Sequence, residues 1–210
     1  MILQTLNTIE AKGIVSSNME YSHMARDEDI YEFKLSVPRV GGRATDELPV
    51  LISSKALSGA NITIGQVVSI KGKIVSYNLK SDTNRRSKLA LKVFAGSLNI
   101  HNNSGLLIDG YNNVALEGTV CKEPIFRTTP AGKEITDILL AVNHANGESS
   151  YLPLICWGSC ARFAEHLSVS SKIKISGRFQ SRQYEKRYYD GSSEIKTAYE
   201  VSVYKLAFLE

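Results

Sequence analysis

Apolar residues recur at every second position in short runs along this chain, and Pro, Gly and polar clusters separate the runs. That period is the signature of strands with one buried face. In the second half it is clearest over Lys172–Tyr184. Lys172, Lys174, Ser176, Arg178, Gln180, Arg182 and Tyr184 fall on one face, with Ile173, Ile175, Gly177 and Phe179 on the other. The pattern predicts a core face backed by a basic stripe that ends in an aromatic ring. Tyr151–Trp157 alternates likewise: Leu152, Leu154 and Cys156 oppose Tyr151, Pro153, Ile155 and Trp157.

The first half carries the same pattern. Strands are predicted over Ile9–Val15, Ile30–Val37, Leu48–Ile52, Val67–Tyr77 and Leu89–Phe94, with a helical turn over Ser54–Ala60 and loops over 16–29 and 80–88. The halves repeat each other. Gly118 stands 105 positions after Gly13, Leu140 after Leu35 and Gly177 after Gly72, while Leu152-Pro153-Leu154 answers Leu48-Pro49-Val50 at 104. Five strands twice over, each set with a short helix between its third and fourth strands, predict an all-β protein of two tandem five-stranded OB-fold barrels. Residues 1–96 form the first, 112–210 the second, and the Asn-rich stretch 97–111 reads as a linker.

Residues 113–208 resemble the bacterial single-stranded DNA-binding protein family. The resemblance rests on an Asn-x-Val-x-Leu-x-Gly opening that ends at Gly118 and on Glu123-Pro124 followed by Arg127 and Thr129-Pro130-Ala131-Gly132-Lys133. Leu140-Ala141-Val142-Asn143, Trp157-Gly158 before a helix, and Gly177-Arg178-Phe179-Gln180-Ser181-Arg182 complete it. It implies an OB-fold that binds single-stranded DNA, with Tyr151 and Trp157 as base-stacking platforms. Members of the family commonly end in a flexible acidic tail that recruits other proteins. This sequence ends at Leu206-Ala207-Phe208-Leu209-Glu210, inside the last predicted strand, so no acidic recruitment tail is expected.

Flat rings beside cations suit unpaired nucleic acid, whose bases stack while its phosphates meet charge. The candidate contacts are Tyr151, Trp157 and Tyr184, with Lys172, Lys174, Arg178 and Arg182 on the stripe and Lys122, Arg127 and Lys133 on the hairpin. Lys186, Arg187 and Tyr188 lie in the following loop. The first half offers less. Glu47, Ser53 and Leu79 stand where Tyr151, Trp157 and Tyr184 do, the Thr-Pro-x-Gly-Lys hairpin has no counterpart in 16–29, and only Lys73, Tyr77, Arg85 and Arg86 are candidates. With no ring at Ser53, its replacement by Ala is expected to have almost no effect.

Charge refines this only slightly. The formal net charge is +4, so affinity for nucleic acid must come from local clustering. Residues 1–105 hold 13 Lys and Arg against 9 Asp and Glu, and residues 106–210 hold 12 against 12, placing the rings in one half and the net charge in the other. Cys121, Cys156 and Cys160 lack metal-site spacing and read as free, buried or half-buried thiols. No signal segment and no apolar run long enough to span a membrane is visible, which points to the cytoplasm. No catalytic grouping and no cofactor or metal motif is apparent. Single-stranded DNA is the expected partner; a protein-interaction scaffold and an RNA-binding OB protein are the alternatives. A homodimer carrying four OB-folds is expected, with the first strands, Ile9–Val15 and Val114–Val120, as candidate pairing edges.

Overall fold

The computed structural model describes residues 5–42, 44–79, 88–101, 110–188 and 191–209. The first half comprises β1 (Asn7–Val15), β2 (Glu20–Ala25), β3 (Glu28–Pro38), β4 (Thr45–Ser53), α1 (Ser54–Leu57), β5 (Val67–Leu79) and β6 (Lys88–His101). The second comprises β7 (Tyr111–Val120), β8 (Ile125–Thr128), β9 (Glu134–Asn143), β10 (Ser149–Trp157), α2 (Ser159–Glu165), β11 (Lys172–Arg187) and β12 (Ser193–Phe208). All of the predicted strands and both helical segments are present. Arg85 and Arg86 lie outside the described residues. Among those described, no helix is long and apolar enough to cross a membrane.

Each half closes into a barrel in the same order, β2-β3-β4-β6-β5-β1 and β8-β9-β10-β12-β11-β7. Closure comes from β1 against β3 at Ile14↔Ser36 and from β7 against β9 at Thr119↔Ala141, the same pair 105 positions on. The repeated glycines make these closures possible. A Cβ at Gly13 would run into the Ser36 carbonyl and one at Gly118 into that of Ala141; at Gly72 and Gly177 it would strike the Phe94 and Ser202 carbonyls. Only a residue without a side chain lets the backbones cross so closely. The inner faces pack into one cluster that runs through both barrels, with Phe33, Phe179, Leu35 and Leu140 among its members.

The first strands pair as expected of open edges, but with each other. β1 runs antiparallel to β7 through Asn7↔Leu116, Ile9↔Val114 and Ala11↔Asn112, so the halves share one 12-stranded sheet. Because Ile9 and Val114 are repeat equivalents, this register sets a pseudo-two-fold axis at that pair. The contacts around it obey the axis. Asn7 Nδ2 donates to the Ile74 carbonyl at 2.8 Å and Asn112 Nδ2 to that of Phe179 at 2.6 Å. The backbone N–H of Tyr151 donates to Ser76 Oγ at 2.8 Å, and that of Glu47 to Ser181 Oγ at 3.0 Å. The tandem repeat is therefore an internal dimer, and these edges are closed to a second chain.

Two readings of the sequence need correction. Residues 16–29 are not all loop: Glu20–Ala25 is a strand, joined to β3 by a tight turn at Arg26 and Asp27, whose φ values are 51° and 61°. Two positive φ angles make the turn a hairpin of the primed type, without the Asn-Gly or Asp-Gly that advertises one. The strand is exposed on both faces and carries no alternation to read. It matches β8, so the hairpin does have a structural counterpart in the first half. The linker also begins later than expected, because β6 continues through Ser97 to His101.

Gly72→Ala should therefore destabilise the chain by about 2–3 kcal/mol, the size of an overpacked core site. Gly96→Ala, whose added Cβ would meet nothing closer than the Lys71 carbonyl at 3.8 Å, should cost under about 1 kcal/mol. Urea melts of the two variants check the contrast.

Candidate nucleic-acid interface

The outward residues of three neighbouring strands in the second barrel converge on one cavity of about 530 Å³. β10 supplies Ile155 and Trp157, β11 supplies Arg178, Gln180 and Arg182, and β12 supplies Glu200 and Ser202. The hairpin between β8 and β9 closes one side with Arg127, Thr129 and Lys133. Its turn is fixed by Gly132 N–H to the Thr129 carbonyl at 2.8 Å and by Lys133 N–H to Thr129 Oγ1 at 3.0 Å. Trp157 is the last residue of β10 and remains 38 % exposed, its indole N–H donating to Ser202 Oγ at 3.1 Å. With its polar edge satisfied, the ring is fixed in orientation and still accessible.

Arg39 completes the groove from the first barrel. Its guanidinium forks onto the buried Asp46 carboxylate, the shortest contact being 2.6 Å, and also donates to the Ser181 carbonyl at 3.0 Å. Arg178 lies half-buried nearby. Burial first, and the neighbouring Arg39 second, push its pKa down, with Asp46 opposing. Its Nε is the one buried side-chain polar atom without a hydrogen-bond partner among the described residues. A guanidinium keeps its proton at any ordinary pH, so this donor is held charged, desolvated and unmatched, the condition an anionic oxygen would relieve. Other cations are pre-engaged: Arg127 meets Asp137 at 2.7 Å and Arg182 stands 3.8 Å from Glu200. Lys133 has no acidic partner among the described residues.

The structure brings together five of the residues expected from the sequence, Trp157, Arg178, Arg182, Arg127 and Lys133, and leaves others outside. Lys172 and Lys174 share the face of Arg178 but lie at the far end of β11, where it pairs with β7; Lys174 is tied to Glu117 at 2.9 Å. The stripe is thus divided. Tyr151 is 45 % exposed but does not line the groove, because its part of β10 sits at the junction with Ser76. Lys122 is exposed in the loop before β8. Lys186, Arg187 and Tyr188 are at the tip of the β11–β12 hairpin. There Lys186 caps the Tyr188 ring at 4.8 Å and the Tyr188 hydroxyl donates to Glu194 at 2.7 Å. Tyr184 lies beside Arg182, ring to guanidinium 5.7 Å, and faces a different cavity. Charge also distributes differently from the count by halves, since the cations of the neutral half converge on its groove.

A second groove of about 800 Å³, the repeat image of the first, holds Lys73 and Tyr77 of the residues expected from the sequence, whereas Phe94 and His144 on its walls were not foreseen. Lys73 takes the place of Arg178, Tyr77 of Arg182, Ser53 of Trp157, Phe94 of Ser202 and His144 of Arg39. Lys73 stands 5.9 Å over the Phe94 ring. Here the ion pair of Arg39 and Asp46 is replaced by a neutral pair, His144 Nε2 lying 2.7 Å from Ser150 Oγ, which also accepts the Ser76 N–H at 3.2 Å. The 105-residue offset linking His144 to Arg39 was the available signal. Ser53 gains a task the sequence reading overlooked: its hydroxyl accepts the Ala56 N–H at 3.2 Å and caps α1.

Comparison with known proteins places this geometry. The sequence matches the Single-strand binding protein family over residues 111–209. It is 35% identical over 106 residues to a single-stranded DNA-binding protein of Clostridium tetani, an alignment spanning 47% of this chain and 70% of that protein. The chain belongs to the single-strand binding protein family. Single-stranded DNA-binding protein B of Bacillus subtilis is likewise 35% identical, over 82 residues, 36% of this chain and 73% of that one. The likeness in fold extends further than the likeness in sequence. Wild-type single-stranded DNA binding protein from Thermus aquaticus superimposes with a TM-score of 0.76 over 99% of this chain and 95% of its own, at 18% identity. Both halves therefore carry the OB-fold, although the family match in sequence covers only the second.

Two outcomes test these assignments. Burial, with nearby Lys73 adding to it and Glu148 opposing, lowers the His144 pKa from its ordinary 6.5. The unfolded chain then binds the extra proton first, so stability should be complete above about pH 6.5 and fall as the pH drops below it. His144→Asn should flatten that fall in thermal melts between pH 7 and 5. Ser53→Ala should lower stability by about 1 kcal/mol through the lost cap, with oligonucleotide binding in the Trp157 groove unchanged.

Proposed function

We propose that this chain binds single-stranded DNA with little sequence preference, serving replication, recombination or repair on DNA in the cytoplasm. The supporting observation is the exposed, orientation-locked Trp157 ring in a cavity it shares with Arg39, Arg127, Lys133, Arg178 and Arg182. A base stacks on the indole while the flanking phosphates meet the guanidinium groups and Lys133. The unmatched Arg178 Nε supplies one such contact. Ring stacking and phosphate contacts accept any base, which gives affinity with little sequence preference. The role is one of binding, not catalysis. The functional unit is a homodimer of four OB-folds. Its interface must use a face other than β1 and β7, which are spent on each other.

Fluorescence titration of Trp157, the only tryptophan, should show quenching as oligonucleotide is added. Trp157→Ala should keep the fold and weaken binding by about 1–3 kcal/mol; unchanged emission at saturation together with normal binding by the variant would refute the stacking role. If about 6 phosphates are neutralised, log K should fall with log salt at a slope near −4, and a duplex of equal length should bind more weakly. Equal affinity for a matched RNA would broaden the ligand class. Light scattering at micromolar concentration should give twice the mass of one chain; the mass of a single chain would exclude the dimer.

A further inference from the structure

A third cavity, of about 410 Å³, sits between the two grooves on the pseudo-two-fold axis. Much of its wall comes in pairs related by the repeat, Pro49 with Pro153, Leu79 with Tyr184 and Leu91 with Tyr199, while Glu32, Lys34 and Lys92 come from the first barrel alone. It continues both grooves, because the same strands supply adjacent outward positions to each. On β10, Ile155 lines the C-terminal groove and Pro153 the axial cavity; on β11, Arg182 is followed by Tyr184. On the other side, Tyr77 of β5 lines the N-terminal groove and Leu79 the axial cavity, and Phe94 of β6 is followed by Lys92. Same-face neighbours on a strand are about 7 Å apart, so the lining of each groove lies one strand repeat from that of the axial cavity.

Resting on the single-stranded DNA reading above, we propose that one DNA strand runs from the C-terminal groove through the axial cavity into the N-terminal groove. Lys34 and Tyr184 hold its middle nucleotides. The axial walls are apolar enough for base faces and carry a ring, Tyr184, already flanked by Arg182. Lys34 is exposed on the cavity and has no acidic partner among the described residues, whereas Lys92 is engaged by Glu32. Lys34 is thus the cation available to a phosphate at the axis.

The symmetry makes a second demand. A two-fold axis across a strand reverses its 5′-to-3′ direction relative to the second barrel. Identical grooves would therefore fit the same strand in only one of the two. The grooves differ in the way this requires: the ring at Trp157 is absent at Ser53, and rings stand instead at Phe94 and Tyr77, where the C-terminal groove has Ser202 and Arg182. The stacking surface has moved to other strands of the barrel.

The test uses oligothymidylates of rising length on the full chain, each with one 5-iodouracil at its 5′ end, middle or 3′ end, crosslinked by light and mapped by mass spectrometry. One end should mark the Trp157 peptide, the opposite end Tyr77 or Phe94, and the middle Tyr184. Affinity should step upward once the oligonucleotide reaches the second groove. Lys34→Glu should lower long-oligonucleotide affinity roughly tenfold, with Lys34→Gln showing a smaller loss and Trp157 quenching by short oligonucleotides retained in both. Either of two results overturns the path: both ends marking both grooves equally, or a middle label that never reaches Tyr184 alongside a neutral Lys34→Glu. Loss of Trp157 quenching by short oligonucleotides in the unmodified protein would instead refute the underlying binding role.

Discussion

The structure depends on one strand pairing, β1 against β7. An OB barrel leaves the outer edge of its first strand with free N–H and C=O groups, and such an edge must be paired, covered or charged. Here the edge of one half satisfies the edge of the other in an antiparallel register centred on Ile9↔Val114. The pairing is isologous, each half presenting the same surface to the other, but both partners lie on one chain, so it needs no association between molecules. The shared sheet then fixes the relative position of the barrels and everything built between them.

Around that axis the chain keeps what holds the halves together and varies what faces solvent. Asn7 and Asn112 make the same side-chain bridge to the backbone, and Ser76 and Ser181 hold opposite junctions in the same way. These groups are partly buried between elements, where an unmade hydrogen bond carries a cost. The position beside each junction has diverged. Arg39 with the buried Asp46 serves one groove, and neutral His144 with Ser150 the other. Each pairing is locally complete, since a lone charge left in either place would be desolvated without a partner. Divergence went through matched pairs.

The same logic shapes the C-terminal groove. Most of its cations already have a carboxylate close by, as Arg127 has Asp137 and Arg182 has Glu200. Ligand phosphates therefore exchange with existing partners on exposed surfaces, where ion pairs contribute little. Arg178 is different, being half-buried, crowded by Arg39 and short of one acceptor. The groove thus combines several loosely held cations with one guanidinium fixed in place and one aromatic ring locked by Ser202.

Much of this was legible in the residues. Alternation marks the strands, the 105-residue repeat marks two barrels, and strand period puts Trp157, Arg178 and Arg182 on outward faces, while Arg127 and Lys133 are legible only as cations of the hairpin. Alternation could not show where along a strand the groove ends. Lys172 and Lys174 share the face of Arg178 but pair into the β7 region, and Tyr151 shares that of Trp157 but stands at the junction. Glu20–Ala25, exposed on both faces, had no pattern to reveal it. Arg39 entered the second barrel's groove, and His144 the first's, only through the β1–β7 pairing. The sequence alone determined the repeat and the chemistry of each strand face; the tertiary structure decided which faces meet, because hydrogen-bonded edges far apart in the chain had to find each other.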